Sequence, residues 1–308
     1  MLDGAQAKVE DARARNDAPP IWRAIDADST LYLFGTVHLL PPGLDWQKDD
    51  MADAFAEAGT VFFEADSRGP EGLKAEALAT QLGLRRDGLR LTDSLDDYQA
   101  KLLEAVSNNG SIPLASLDAM QPWLAAEYLT LSAAGSAGLS ADLAADEALV
   151  SRARRSGKAL VYLETAEDQL RSVAELPDET QLALLTDTME RFDAMPAMLD
   201  RVARDWAVGD VPALEDTLVA PLEAAPEGYV DAVLRARNED FADTLSRFME
   251  GSGTGFAAIG VSHLIGPDSL VSELKARGYT VTRYFAFQGE DVITPTIARL
   301  PDVPESGD

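Results

Sequence analysis

Leu31-Tyr32-Leu33-Phe34-Gly35-Thr36-Val37-His38-Leu39 and Gly255-Phe256-Ala257-Ala258-Ile259-Gly260-Val261-Ser262-His263-Leu264 are two versions of one pattern. Each is a short apolar run followed by Gly-x-x-His-Leu, and together they hold both histidines of the 308-residue chain. A brief apolar run bounded by glycine or proline reads as a buried strand. With glycine at about 7% of average sequence, its presence three places before both histidines has a chance of about 0.5%. A strand ending in this way carries the ring to its carboxyl end, where α/β sheets bind their ligands. Glycine at that point allows a tight turn and removes a Cβ that would hinder a ligand. The pair therefore predicts a sheet assembled from both ends of the chain, with the two histidines meeting at one cleft.

The rest of the chain fits around that sheet. Ile21–Ile25 and Thr30–Thr36 read as strands joined by a turn over Asp26-Ala27-Asp28-Ser29, and Asp49–Ala58 as a helix. Thr60–Phe63 is a third strand, which delivers Glu64 and Asp66. Spaced apolar positions predict helices over Glu71–Leu82, Leu95–Ser107, Pro122–Ser132, Asp142–Arg155, Glu179–Met195, Ala197–Val208 and Glu227–Glu250. One strand, Ala159–Leu163, interrupts them and ends at Glu164. After the second histidine, Asp268–Arg277 reads as a helix and Tyr279–Phe287 as a strand. The Gly251-Ser252-Gly253-Thr254-Gly255 stretch reads as a flexible turn, since no lysine follows it as a phosphate loop would require. The expected class is α/β (α+β): a central mixed β-sheet built from N- and C-terminal halves, with a large helical insertion over about 67–250. One domain spans 21–300, after a leader of residues 1–20 and before a tail of residues 301–308.

Composition narrows the chemistry. The formal charge is −27, from 26 Lys and Arg against 53 Asp and Glu. Such a surface repels phosphate backbones, so no nucleic-acid partner is expected. There is no cysteine, which removes disulfides, thiolate zinc sites and cysteine nucleophiles. Any metal falls to His, Asp, Glu, backbone or water. No stretch has the length and apolarity of a membrane span.

Side chains at strand ends gather at one rim, which would bring Glu64 and Glu164 to His38 and His263. A lone histidine or glutamate in such a place is commonly structural or simply emerging into water. Two histidines with one or two carboxylates are a familiar set for a catalytic divalent ion with an open position. Asp66 would support the set or lie exposed. Ser262 beside His263, and Thr36 near His38, leave a serine hydrolase as a rival. Gly260–Leu264 nevertheless lacks the closing glycine of Gly-x-Ser-x-Gly, and His-Glu-x-x-His is absent.

These residues carry a resemblance. Tyr32–Pro41, Phe63-Glu64, Pro122-Trp123-Leu124, Leu163–Gln169, Arg237-Asn238, Gly260–Leu264, Gly266-Pro267-Asp268 and Arg277–Val281 together resemble the TraB/GumN family. That family is related to the Tiki proteases and, more distantly, to the erythromycin-esterase/ChaN-like group. The resemblance runs from about Ile21 to Phe285. It implies a metal-dependent site of paired Gly-x-x-His motifs and a glutamate, here His38, His263 and Glu64. It also implies polar roles for Glu164 and Arg237, and a peptide or protein substrate. Asp146 matches the pattern too, although Ala144-Ala145 stands before it where a Gly-Val-like pair is expected.

The combined expectation is a metal-dependent hydrolase, most simply a peptidase, using manganese, cobalt or zinc. Metal would rest on His38, Glu64 and His263, with Glu64, Glu164 and Arg237 serving catalysis. Two alternatives stay open: a non-catalytic module binding metal, haem or peptide, and a metal-free His/Glu esterase. The family implies a periplasmic or otherwise extracytoplasmic location, with the cytoplasm also open.

Overall fold

The computed structural model describes residues 18–66 and 68–285. The expected leader (but for its last three residues), the end of the last expected strand and the tail lie outside the described residues. Strands β1 (Ile21–Ile25), β2 (Ser29–Thr36), β3 (Thr60–Phe63), β4 (Ala159–Tyr162), β5 (Gly253–Gly260) and β6 (Thr280–Arg283) form one sheet. Its order is β4-β3-β5-β2-β1-β6. The four strands β4, β3, β5 and β2 are mutually parallel, while β1 runs antiparallel to both β2 and β6. The expected mixed sheet is present, and its two halves join where β2 lies against β5. That pairing runs from Ser29 opposite Gly253 to Thr36 opposite Gly260.

The reason these segments make a central sheet is their apolarity on both faces. Leu31 to Phe34 and Phe256 to Ile259 are all buried, as parallel strands covered on both sides must be. Helices α1 (Asp49–Glu57), α2 (Gly69–Gly83), α3 (Asp97–Asn109), α4 (Leu114–Asp118), α5 (Pro122–Ser136) and α6 (Ala145–Arg155) precede β4. After it come α7 (Ala166–Ala174), α8 (Asp178–Arg191), α9 (Met195–Ala207), α10 (Val211–Leu214) and α11 (Ala236–Met249). Helix α12 (Leu270–Ala276) lies between β5 and β6.

The helical region divides by what it covers. Helices α1, α6, α9 and α11 supply Phe55, Leu149, Trp206, Phe241 and Leu245 to the core around the sheet. A second core, built from Leu103, Val106, Leu117, Leu129, Leu185 and Met189, belongs to α3, α4, α5 and α8. These form a cap with its own apolar interior. Trp206 locks α9 to the sheet, since its indole N–H donates to the Gly35 carbonyl at 2.7 Å.

Three local expectations change. Gly253 to Gly255 is the start of β5 and not a turn. A Cβ on Gly255 would lie 2.8 Å from Phe248 Cε1, so this glycine answers to close packing rather than flexibility. The helix expected over Glu227–Glu250 is not uniform: a π-turn occupies Asp231–Arg235, and regular α-helix begins at Ala236. The helix expected over Glu179–Met195 stops at Arg191, and Met195 opens the next one, with Pro196 in its first turn.

Candidate functional site

Four neighbouring parallel strands end at one rim of the sheet, and each leads to one of the titratable residues singled out above. In sheet order, β4 leads to Glu164, β3 to Glu64, β5 to His263 and β2 to His38. Backbone bonds tie the first two ends together, as Glu164 N–H donates to the Glu64 carbonyl at 2.9 Å. This is the crevice beyond the carboxyl ends of parallel strands where α/β proteins place ligands.

The two motif glycines serve space and not backbone freedom. Neither has a positive φ; that of Gly260 is −48°. A Cβ on Gly35 would meet Val261 Cγ2 at 3.0 Å, so its absence lets the two strand ends close up. A Cβ on Gly260 would stand 3.1 Å from Glu64 Oε1, 3.6 Å from His38 Nε2 and 3.7 Å from His263 Cδ2. Both rings and the carboxylate thus border one point.

Glu64 is held at both oxygens. Oε1 accepts the Gly260 N–H at 2.6 Å, while Oε2 accepts from Arg237 Nη2 at 2.8 Å and Gln169 Nε2 at 3.3 Å. Arg237 also grips Glu164, with Nε donating to Oε2 at 3.0 Å and Nη2 to Oε1 at 2.5 Å. These three side chains are 8–15% exposed, so little water screens them. Burial opposes ionisation of Glu64. The rings of His263 and His38, the guanidinium of Arg237 and the Gly260 N–H outweigh it and hold the carboxyl down to about 2. Burial dominates at Glu164 and places it above the ordinary carboxylate value, against the pull of Arg237. Arg237 is separated from the π-turn by one residue, and its Nη1 donates to the Val233 carbonyl within that turn at 3.1 Å. Departures of this kind from α-helix recur where a side chain must be aimed at a site.

The two rings differ. His263 is 4% exposed and its Nδ1 lies 2.7 Å from Asn238 Oδ1. Burial pushes it down to about 4; Arg237 and His38 add to this and Glu64 opposes it. His38 leaves 58% of its side chain open, with Nδ1 3.4 Å from Asp146 Oδ1. Crowding by the surrounding protein would lower it, although the side chain is open to water; the Asp146 contact, then the charges of Glu64 and Glu127, prevail and push it up to about 9. Asp146 reaches this position because Ala145 N–H, at the start of α6, donates to the Val37 carbonyl at 3.2 Å.

Three other candidates stand apart. Asp66 pairs with Arg154 at 3.2 Å and accepts the Arg68 N–H. Thr36 is buried opposite Gly260, its hydroxyl without a hydrogen-bond partner among the described residues. Ser262 sits in the short 3-10 turn of Val261–His263. Asn238 and Gln169 lie within the family-like stretches of the sequence but carry no mark of a role there, and nothing in the sequence marks Glu127. Only the helical spacing that puts Asn238 and Phe241 on one face of α11 hints at the first.

The set agrees in kind with a divalent ion, having two imidazole nitrogens and a carboxylate. As placed, no three His, Asp or Glu side chains among the described residues stand ready to enclose one. Both Glu64 oxygens are occupied by protein donors, and Glu164 is taken by Arg237. A cavity of about 450 Å³ opens beside Glu164 and Arg237, lined also by Asp168, Asp240, Phe241 and Arg247; neither histidine lines it.

The model of the TraB/PrgY/gumN family matches residues 20–283. A protein named YbaP from Escherichia coli (strain K12) is 25% identical over 259 residues, covering 82% of this chain and 92% of the relative. YbaP of Shigella flexneri matches to the same extent. No solved structure matches significantly.

Proposed function

This chain belongs to the TraB/PrgY/gumN family, and from that premise and the cleft geometry we propose that it is a metal-dependent hydrolase acting on peptides. The observation that supports the reading is the convergence of His38, His263 and Glu64 on one point over Gly260, from three different strand ends. His38 and His263, with Glu64 once it yields a donor, would hold the ion. The chemistry such an ion supplies when bound is Lewis-acid polarisation of a carbonyl and acidification of water. The chain's own residues do the rest. Glu64, ionised through the working pH range, offers a negative charge at the point of convergence. Arg237 keeps Glu64 and Glu164 fixed and presents positive charge where an oxyanion could develop. The choice of peptide follows the resemblance to the Tiki proteases.

The test is turnover of a peptide library by protein stripped with chelator and reloaded separately with Mn²⁺, Co²⁺ or Zn²⁺. The reading expects cleavage in a loaded sample, absent after stripping and absent from H263A. Metal uptake without cleavage under any loading would reduce the protein to a binding module.

One observation favours a second reading. The rings are driven apart, His38 towards holding its proton and His263 towards losing it, which is how an acid and a base are prepared side by side. A metal-free esterase using that pair would hydrolyse esters equally well before and after chelation.

A further inference from the structure

The hydrogen bonds behind His263 fix where its proton sits. Asn238, only 1% exposed, lies between the ring and the backbone of Asp268. Its Nδ2 donates to the Asp268 carbonyl at 2.8 Å. A carbonyl oxygen cannot donate, so the amide cannot turn over without setting two oxygens against each other. That leaves Oδ1 facing His263 Nδ1 at 2.7 Å. An amide oxygen only accepts, so the nitrogen opposite it must carry the hydrogen. The far edge of the same ring, at Cδ2, borders the point shared by Glu64 Oε1 and His38 Nε2.

We infer that Asn238 is a positioning residue that places the proton of neutral His263 on Nδ1, leaving Nε2 as the bare nitrogen on the cleft side. Free imidazole side chains in water favour the opposite tautomer, with hydrogen on Nε2. Without Asn238 the cleft would therefore meet an N–H where it now meets a lone pair. Phe241, on the same helix, packs against the ring at a tilt of 44°, with the centroids 5.5 Å apart. Asn238 touches no reacting atom and acts only through His263. The consequence for metal or proton chemistry rests on the function proposed above, whereas the tautomer does not.

The test uses untagged, metal-free full chain with ¹⁵N-labelled histidine and long-range ¹H–¹⁵N correlation at neutral pH. With two histidines in the chain, H38A assigns the rings. The inference expects His263 to show a protonated Nδ1 and a bare Nε2. N238A should move the proton to Nε2 or average the two sites. N238D keeps an acceptor against the ring, although its second oxygen then opposes the Asp268 carbonyl, and should retain the proton on Nδ1 even if both variants melt earlier. Zn²⁺ affinity should fall by about 10–100-fold in N238A, the usual effect of losing a ligand's outer partner. A proton on Nε2 in the unaltered protein would overturn the inference even if no variant folds. So would an unchanged tautomer in folded N238A. Failure of Zn²⁺ to bind the unaltered protein would count against the proposed function alone, since the tautomer is read without metal.

Discussion

A methyl group on Gly260 is the smallest change that reaches both histidines and Glu64 at once. Its backbone conformation suits any residue, so G260A should fold; the 3.1 Å approach to Glu64 Oε1 requires only that the carboxylate shift by a few tenths of an ångström. The expected outcome is a melting temperature near that of the unaltered protein, with activity or ion uptake reduced by tenfold or more. Unchanged uptake and activity would show that the point is not used. His38 gives a pH prediction. Its value in the fold, about 9, lies above its ordinary value of roughly 6.5. The proton therefore stabilises the fold fully below about pH 6.5, and that contribution is lost as pH rises through 9. D146N removes the carboxylate that holds the proton. It should bring the His38 titration, followed by NMR in metal-free protein, back towards its ordinary value and flatten stability across that window. At this scale strand ends and a repeated motif mark His38, Glu64, Glu164 and His263 in the sequence, while Arg237 entered only through the family resemblance. Asn238 and Gln169 went without a role, because what defines them is a partner across the fold and no spacing records that.

At the scale of elements, the site depends on four parallel strands stopping together. Apolar runs revealed those strands in the sequence, while their order did not follow from it; β5 between β2 and β3 arises only when the chain returns after the cap. The flexible-turn reading of Gly251–Gly255 failed over Gly253–Gly255 because glycine is ambiguous in sequence: it serves freedom in one place and closeness in another. G255A tests the second role. Its Cβ would press on Phe248 Cε1 and Leu31 Cδ1, at 2.8 and 3.1 Å, where α11 lies on the sheet. A loss of about 1–3 kcal/mol in urea unfolding is expected, as for other overpacked sites. No loss would mean that α11 sits more loosely on β5 than the packing implies. The π-turn before Arg237 was likewise invisible, because Asp231–Arg235 has the composition of ordinary helix.

Across the whole molecule, two apolar cores separate the sheet that carries the site from the cap beside it. No helix among the described residues is long and apolar enough to cross a membrane. The charge of −27 governs encounters at a distance. The protein should not retard duplex or single-stranded DNA at physiological salt. Retardation that added salt reverses would contradict this. A net negative field of this kind raises the concentration of cations around the molecule as a whole. Whether those histidines form one site is read most directly by titrating untagged, metal-free protein with Co²⁺ and following visible absorption, in parallel with H38A and H263A. One equivalent should bind to the unaltered chain, and its absorption band should be lost in each single variant. Binding by either variant equal to that of the unaltered chain, or no binding at all, would contradict it.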